Sequence, residues 1–190
     1  MQKGLVEKTP NGQYQLSPEG LYFVDRLSLS LKTVQPQPKL TAIATLRNAH
    51  DEFLFYKRRS QPYIDTWSLP AMKIQENEDL LTAATRAVRE AFGTENENGE
   101  WVLPPGFEQL VEGLHISGAV HLRDFERNEL TIENYIFVFQ GFYDGQLPSK
   151  ARWFDASSND DNFLLFPGAR EVVQYVLSGE IVPREYEVHV

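Results

Sequence analysis

The apolar residues between Asp79 and Gly93 recur at the three- and four-residue spacing of an α-helix. They are Leu80, Ala83, Ala84, Ala87, Val88, Ala91 and Phe92. Such a stripe predicts a helix that buries one face against a larger element. Glycine favours helix ends, so Gly93 is expected to end this helix after about Phe92. Any fold for the chain must therefore supply an apolar surface that covers this face.

Most of the other patterned segments are typical of β-strands. The stretch from Leu40 to Arg59 predicts two strands around a turn at residues 48–51. Further strands are predicted in QLVEGLHISGAVHL (residues 109–122), NYIFVFQGFY and ARWFD, and a second helix is predicted at 169–177. Because strands outnumber helices and the two helices lie far apart in sequence, an α+β sandwich is favoured over a doubly wound sheet.

The N-terminal residues are predicted to be separate from this sandwich. Two short apolar stretches flank an Asn-Gly dipeptide, which is typical of a hairpin turn. Ser17 and Pro18 are suited to the start of a helix that reaches Leu27 or Ser28. A segment with two prolines then predicts an extended linker. The expected organisation is a hairpin and helix over residues 1–32, a linker over 33–39 and a main domain over 40–190.

The charge balance argues against several classes of protein. The chain of 190 residues carries 18 basic and 27 acidic residues, a formal net charge of -9 with a pI near 5.0, which argues against a protein that coats nucleic acid or an anionic membrane. Cysteine is absent, so disulfides and thiolate metal sites are excluded. No apolar run approaches the roughly 20 residues of a bilayer-spanning helix. We expect a cytoplasmic protein with no membrane partner.

The segment WSLPAMKIQENEDLLTAATRAVREAFG, residues 67–93, resembles the signature of the Nudix hydrolase family. That signature is a glycine, five residues, a glutamate, seven residues, and then Arg-Glu-aliphatic-x-Glu-Glu-x-Gly. The residues that match it are Glu78, Arg86, Val88, Glu90 and Gly93. Met72 stands at the first glycine, and Ala87 and Ala91 stand at two of the three glutamates on the helix.

This resemblance implies a fold and an activity. It implies a Nudix-like α/β/α sandwich with a mixed sheet over residues 40–190, preceded by the small hairpin-plus-helix segment. The family's enzymes are pyrophosphohydrolases of nucleoside diphosphate derivatives, and they use Mg²⁺ or Mn²⁺. The partner expected for this chain is therefore a phosphorylated small molecule, with Mg²⁺ or Mn²⁺ as cofactor if the protein is active.

Three helix positions bear on that metal. Positions 87, 90 and 91 are related as i, i+3 and i+4, so their side chains leave one helix face and could converge on a cation. Magnesium prefers carboxylate oxygens, yet two of the three residues are alanine. Glu90 is thus the candidate metal ligand, and Glu90 and Glu78 are the candidate catalytic residues. Magnesium often binds only one or two protein carboxylates. Others could come from a region before the helix or from a predicted charged turn: Glu76, Asp124, Glu126, Glu129 and Glu133.

The helix residues also have a purely structural interpretation. Alanine has the highest helix propensity, so Ala87 and Ala91 could simply pack against the sheet. Glu90 lies four residues after Arg86 and could form an ordinary helix-surface ion pair with it. The sequence leaves both interpretations open.

Candidate ligand-binding residues lie both outside the helix and in it. Arg58 and Arg59 end the second predicted strand, where their guanidinium groups could meet ligand phosphates. Arg86, on the helix, is a third candidate cation. Trp67 could stack on a base.

A second, shorter resemblance concerns residues 5–20, LVEKTPNGQYQLSPEG, which are similar to the wing and following helix of bacterial winged-helix domains. A winged helix needs earlier helices to enter the major groove. Residues 1–40 hold five basic and three acidic residues, and five minus three gives a net charge of only +2. Nucleic acid is therefore not expected as a partner of this chain alone, and the segment is a candidate homodimer contact.

Three functions are compatible with these features. The first is a Nudix-fold protein that binds a nucleoside-diphosphate-linked or other phosphorylated small molecule, with metal-dependent hydrolysis impaired or absent because two box glutamates are alanine. The second is an active Nudix hydrolase with a rebuilt magnesium site. The third is a protein-interaction or transcription-regulatory module that uses the fold as a scaffold. Ala87 and Ala91 favour the first.

Overall fold

The computed structural model describes most of the main domain and parts of the N-terminal segment. The described residues are 4–8, 12, 14–17, 20, 27–28, 33–34, 39–59, 63–126, 129–156, 164–180 and 183–189. Within these ranges, no helix is both long enough and apolar enough to cross a membrane.

The described elements are strands of 2 to 14 residues and three helices. The strands are β1 (Val6–Lys8), β2 (Tyr14–Leu16), β3 (Leu27–Ser28), β4 (Thr33–Val34), β5 (Lys39–Arg47), β6 (Phe53–Lys57), β7 (Trp67–Ser68), β8 (Ala71–Lys73), β9 (Thr94–Glu95), β10 (Trp101–Val102), β11 (His115–Glu126), β12 (Glu129–Phe142), β13 (Ala151–Phe154) and β14 (Arg184–His189). The helices are α1 (Leu80–Phe92), α2 (Phe107–Glu112) and α3 (Ala169–Ser178).

A mixed sheet forms the centre of the main domain. In the described part of the chain it has eight strands in the order β13-β6-β5-β12-β11-β14, with β7 paired to β6 and β8 paired to β5. β5 runs parallel to β12 and β14 runs parallel to β11, while the other pairs are antiparallel. The predicted α+β class with a mixed sheet is therefore confirmed.

Helices cover both faces of this sheet. Successive residues of a strand point to opposite faces, and β5 is buried on both. Ala42 and Ala44 belong to a core that contains Val88 of α1 and Phe107 of α2. Ile43 belongs to a second core, on the other face, which contains the buried residues of α3. The architecture is thus the expected α/β/α sandwich.

The boundaries of α1 follow from local chemistry. The Asp79 side chain accepts a hydrogen bond from the Thr82 backbone N–H at 2.9 Å, which caps the helix start. At the other end the Gly93 N–H donates to the Arg89 carbonyl at 2.8 Å. A Cβ at position 93 would lie 2.5 Å from that carbonyl oxygen and 3.2 Å from the Val102 oxygen. Close backbone approach therefore accounts for the glycine that ends the helix.

Two predictions in the main domain are wrong. The strand expected from Gln109 begins only at His115, because residues 107–112 form α2 and bury Phe107 and Leu110 against the sheet. The predicted charged turn is mostly strand, since β11 extends to Glu126 and β12 begins at Glu129. These polar residues were predicted to form a turn, but most of them belong to the long β11–β12 ladder.

The N-terminal prediction is also modified. β1 and β2 pair as the expected hairpin. Leu27 and Ser28 form β3 instead of ending a helix, and they pair with β4, which lies in the predicted linker. Apart from Ser17 and Gly20, the rest of the predicted helix up to residue 26 lies outside the described residues.

A glycine in β11 allows α3 to pack closely on the sheet. The β11–β12 register shifts between Ile116 and Gly118. A Cβ at Gly118 would lie 2.0 Å from the hydroxyl oxygen of Tyr175, a fully buried α3 side chain. Without that hydroxyl, the nearest atom to the Cβ would be Cζ of the same ring, at 3.0 Å. The absence of a side chain at 118 thus makes room for the Tyr175 hydroxyl.

We expect Gly118→Ala to lower the free energy of unfolding by about 1–3 kcal/mol, since overpacking forces side chains from their preferred positions. In a Tyr175→Phe background the same substitution should cost about 1 kcal/mol less, because the clashing oxygen is gone. Urea unfolding of the wild type, the two single variants and the double variant measures both values. Equal costs in the two backgrounds would contradict the proposed contact.

Candidate functional site

The signature segment forms β8, a loop and α1, which are held together by one arginine. Arg86 Nε and Nη2 donate to the two carboxylate oxygens of Glu78 at 2.9 and 2.8 Å. Nη2 also donates to the Lys73 carbonyl at 2.8 Å. The Gln75 N–H donates to Glu78 Oε2 at 2.9 Å. These bonds fasten the loop before the helix to the helix itself.

The Glu78–Arg86 pair is sheltered and remains charged at neutral pH. The Glu78 side chain is 10% exposed. Hydrogen bonding from Arg86 holds the pKa of the Glu78 carboxyl below its ordinary value, against the opposing effect of burial. The pKa of Arg86 is raised, chiefly by its hydrogen bond to Glu78. Two residues predicted to act on a ligand therefore bind each other in the structure.

The three helix positions expected to face a metal lie in different surroundings. Ala87 is 2% exposed and Ala91 is 6% exposed, and Ala91 packs within the core on the α1 side of the sheet. Glu90 is 36% exposed, and its Oε1 lies 3.6 Å from Arg86 Nη1. The structure therefore contains both features of the structural interpretation: alanines packed inward and a surface ion pair at Glu90.

The described side chains do not form a cluster that could hold a divalent cation. Within the described ranges, no three His, Asp or Glu side chains form a group that could hold a metal ion. Glu76 is exposed, and Glu133 contacts His121 across the sheet at 3.4 Å. The side chains of the remaining candidates lie outside the described residues: Asp124, Glu126 and Glu129. Among the described candidates, Glu90 has an arginine beside it, so a cation there would need further oxygen ligands from water or a ligand phosphate.

A basic cleft lies at the end of β6. It encloses about 280 Å³. Its lining includes four cations, one acid and two apolar side chains: Lys57, Arg58, Arg59, Lys150, Asp65, Ile64 and Trp67. Lys57 Nζ and Asp65 Oδ1 are 3.1 Å apart, which leaves a clear excess of positive charge. Such a surface favours an anionic ligand.

Backbone hydrogen bonds build the walls of the cleft. The Arg58 N–H donates to the Thr66 carbonyl at 2.9 Å, and the Asp65 N–H donates to the Arg58 carbonyl at 3.1 Å. Asp65 and Tyr63 adopt left-handed backbone conformations, with φ of 68° and 59°. Non-glycine residues adopt such conformations only where the surrounding structure fixes them. The Lys57 N–H donates to the Lys150 carbonyl at 3.0 Å, which brings Lys150 to the opposite wall.

Arg58 connects the cleft to the signature helix. Its Cζ lies 4.8 Å from the centroid of the Phe166 ring. Burial raises the pKa of Tyr56, while Arg58 opposes this through its charge and a hydrogen bond to the phenol, and the Glu90 carboxylate adds to the rise. The phenol is therefore neutral at pH 7. Its ring packs edge-on against Phe92 of α1, with 6.1 Å between the ring centroids.

The structure thus brings together three of the predicted ligand-binding residues. Arg58, Arg59 and Trp67 line one cleft, whereas Arg86 pairs with Glu78 and Glu90 beside the helix. Lys57, which directly precedes Arg58 and Arg59 in the sequence, lines the same cleft. Lys150 was missed because only the pairing of distant segments places it there.

We expect Glu78→Gln to lower the free energy of unfolding by about 1–3 kcal/mol at pH 7, since it leaves Arg86 without its charged partner. The pKa of Glu78 is lowered on folding, so this stabilisation is present above the unfolded pKa, about 4.3, and is lost as the pH falls through the folded value. Urea unfolding at neutral pH and at successively lower pH tests this. A difference between the two proteins that stays constant into strong acid would contradict the assignment.

A glutamate at position 91, where the family signature has one, should lower the stability of this protein. Ala91→Glu places a carboxylate among packed apolar side chains, and we expect a loss of at least about 3 kcal/mol of stability without metal. The exposed substitution Leu81→Glu, on the same helix, is a control and should cost little. Chemical denaturation measures both. An Ala91→Glu protein as stable as the wild type would mean that position 91 opens to solvent.

Comparison with known proteins bears on the fold. No protein-family sequence model and no curated protein sequence matches this chain. Among solved structures, a bifunctional NMN adenylyltransferase/ADP ribose pyrophosphatase from Francisella tularensis, complexed with AMP and a manganese ion, is 19% identical, with a TM-score of 0.54. The match covers 84% of this chain and 47% of that one, so this chain spans about half the length of the bifunctional protein.

Two further structures match over most of their own length. A Nudix hydrolase from Nitrosomonas europaea is 17% identical, with a TM-score of 0.53 over 77% of this chain and 93% of that one. The Nudix domain of Shewanella oneidensis NrtR, complexed with ADP ribose, is 17% identical, with a TM-score of 0.50 over 78% and 94% of the two chains. Identities this low establish the fold alone. The chain has the Nudix fold.

Proposed function

We propose that this protein binds a nucleoside-diphosphate-linked or other phosphorylated small molecule in the basic cleft, and that its metal-dependent hydrolysis is impaired or absent. The observation that carries the proposal is the convergence of Lys57, Arg58, Arg59 and Lys150 around one cleft. Four cations minus the single Asp65 leave +3 in the lining of a chain whose net charge is -9. A local excess of this sign is unusual enough on an acidic protein to indicate an anionic ligand.

The arrangement of the cleft cations suits a ligand with a diphosphate better than a ligand with a single carboxylate. Arginine guanidinium groups bind phosphate oxygens through paired N–H donors, and lysines add point charges. Lys57, at the end of β6, is joined to Lys150 by a backbone hydrogen bond, and Arg58 and Arg59 follow Lys57 directly in the chain. Several cations along one cleft can contact successive phosphate groups.

The apolar part of the cleft favours a ligand with a ring. Trp67 and Ile64 line the same cavity as the cations, and Ile64 is 48% exposed. Aromatic side chains bind planar rings by stacking, with a gain of about 0.5–1.5 kcal/mol beyond burial. A base or nicotinamide ring next to a diphosphate would satisfy both parts of the cleft. The ADP ribose held by one structural neighbour is of this chemical class, and the AMP held by another carries the same base on a single phosphate.

The proposal of impaired hydrolysis has a separate basis. Hydrolysis of a diphosphate by metal catalysis needs a cation placed to neutralise charge and activate water. Ala87 and Ala91 supply no oxygen ligand, and the remaining Glu90 is beside Arg86. These residues therefore favour binding of the phosphates over their cleavage.

Ligand binding is tested by calorimetric titration with ADP ribose and with AMP. We expect measurable affinity for at least one of them, and Arg59→Gln and Lys150→Gln should each weaken it by about fivefold, roughly 1 kcal/mol for a solvent-exposed charge contact. Arg170→Gln removes the same charge from α3, outside the cleft, and should leave the affinity unchanged. Equal weakening by all three variants would contradict the assignment to the cleft.

Turnover is tested by phosphate release and AMP release from a panel of nucleoside diphosphate compounds with Mg²⁺ or Mn²⁺. We expect no release above a protein-free control, from preparations in which binding is measurable. Metal-dependent turnover that Glu90→Gln abolishes would instead establish an active hydrolase with a rebuilt site. Absence of binding to every compound would favour the interaction module.

A further inference from the structure

Asp65 brings a carboxylate into the lining of the basic cleft. Its Oδ1 lies 3.1 Å from Lys57 Nζ, and 73% of the side chain is exposed. A carboxylate accepts hydrogen bonds and cannot donate them, and the oxygens of an ionised phosphate have the same character, so the two groups repel each other. A ligand that suits this cleft must therefore offer hydrogen-bond donors as well as negative charge.

The backbone around Asp65 is fixed by the fold. Asp65 has a left-handed φ of 68°, and its N–H donates to the Arg58 carbonyl at 3.1 Å. The next residue, Thr66, is buried, and its hydroxyl and N–H donate to the Tyr63 carbonyl at 2.7 and 3.3 Å. Aspartate and asparagine adopt the left-handed conformation more readily than most residues. The fold thus sets the point at which the carboxylate enters the cleft.

Asp65 lies between the apolar part and the cationic part of the cleft. Ile64 and Trp67, close to it in the chain, supply the apolar part. Its ion-pair partner Lys57 stands directly opposite Trp67 in the antiparallel β6–β7 pair. Side chains at directly opposite positions leave the same face of a sheet close together. In a nucleoside diphosphate, the ribose joins a planar base to the phosphates, so the order of groups in the ligand matches the order of groups in the cleft.

We propose that Asp65 accepts hydrogen bonds from the ribose hydroxyl groups of the ligand, which makes the cleft selective for nucleoside diphosphates with free ribose hydroxyls. The inference rests on the proposed function, since it concerns the same cleft. A site that hydrogen-bonds a ligand hydroxyl rejects the analogue that lacks it, because a polar group of the site is then left without its partner. Asp65 is largely exposed, so water replaces part of the lost bond and the discrimination is moderate.

The test is calorimetric titration of the protein with ADP and with 2′,3′-dideoxy-ADP, which carry the same charge and differ only in the ribose hydroxyls. We expect the wild type to bind ADP about fivefold more tightly than the dideoxy compound, as for a solvent-exposed charged contact. Asp65→Asn keeps a residue that tolerates the left-handed backbone but offers a weaker, uncharged acceptor. It should bring the two affinities to within about twofold of each other, because a hydrogen bond to an uncharged acceptor is roughly half as strong.

Asp51→Asn is the matched control. Asp51 also has a left-handed backbone, with φ of 61°, and its side chain is 73% exposed and paired with Arg47. It precedes β6, whereas the cleft lies at the other end of that strand. Asp51→Asn should leave the ratio of the two affinities as it is in the wild type.

Several results would overturn the inference and leave the proposed function intact. They are equal binding of the two compounds by the wild type, an unchanged ratio in Asp65→Asn folded by circular dichroism, the same change of ratio in Asp51→Asn, and binding of ADP ribose but of neither test compound. Absence of binding to ADP, to its dideoxy analogue and to ADP ribose would overturn the proposed function, and the inference with it.

Discussion

The close packing of α1 against the central sheet is the constraint on which the rest of the structure depends. The helix approaches the sheet through small residues, and Ala83, Ala84 and Ala91 are buried against β5 and its neighbours. Small side chains allow a helix backbone to lie near a sheet, and protein interiors tolerate little extra volume there. Ala91 thus contributes to the core at a position where the family signature has a glutamate. A side chain at position 91 cannot both pack in the core and bind a metal, and in this protein Ala91 packs in the core.

The ion pair between Arg86 and Glu78 shows how the signature can retain its structural part without its metal part. Two hydrogen bonds from Arg86 to Glu78 fasten the loop at 74–79 to α1, and a third, to the Lys73 carbonyl, fastens β8 to the same helix. These bonds hold β8, the loop and α1 together beside the buried Ala87 and Ala91.

The sequence predicts the large periodic elements well and the short ones poorly. The α1 boundaries follow from the spacing of apolar residues and from the glycine after them, which are local signals. α2 has only six residues, too few for its spacing to be distinguished from that of a strand. β14 was not foreseen, because its position depends on pairing with β11, far away in sequence.

The residues of the candidate site could also be predicted only in part. Arg58, Arg59 and Trp67 were recognisable by residue type and lie together in the structure. Lys150 enters through the hydrogen bond to Lys57, which no local pattern reveals. The role of Glu78 could not be predicted without its partner Arg86, because a glutamate at this signature position could bind a ligand or pair with an arginine equally well.

The most direct test of this account is a crystal structure of the protein grown with ADP ribose and Mn²⁺, with anomalous diffraction recorded at the manganese edge. The account predicts electron density for the diphosphate within hydrogen-bonding distance of Arg59 and Lys150, and no anomalous peak beside Glu90. A manganese peak coordinated by Glu90 and the ligand phosphates would contradict it.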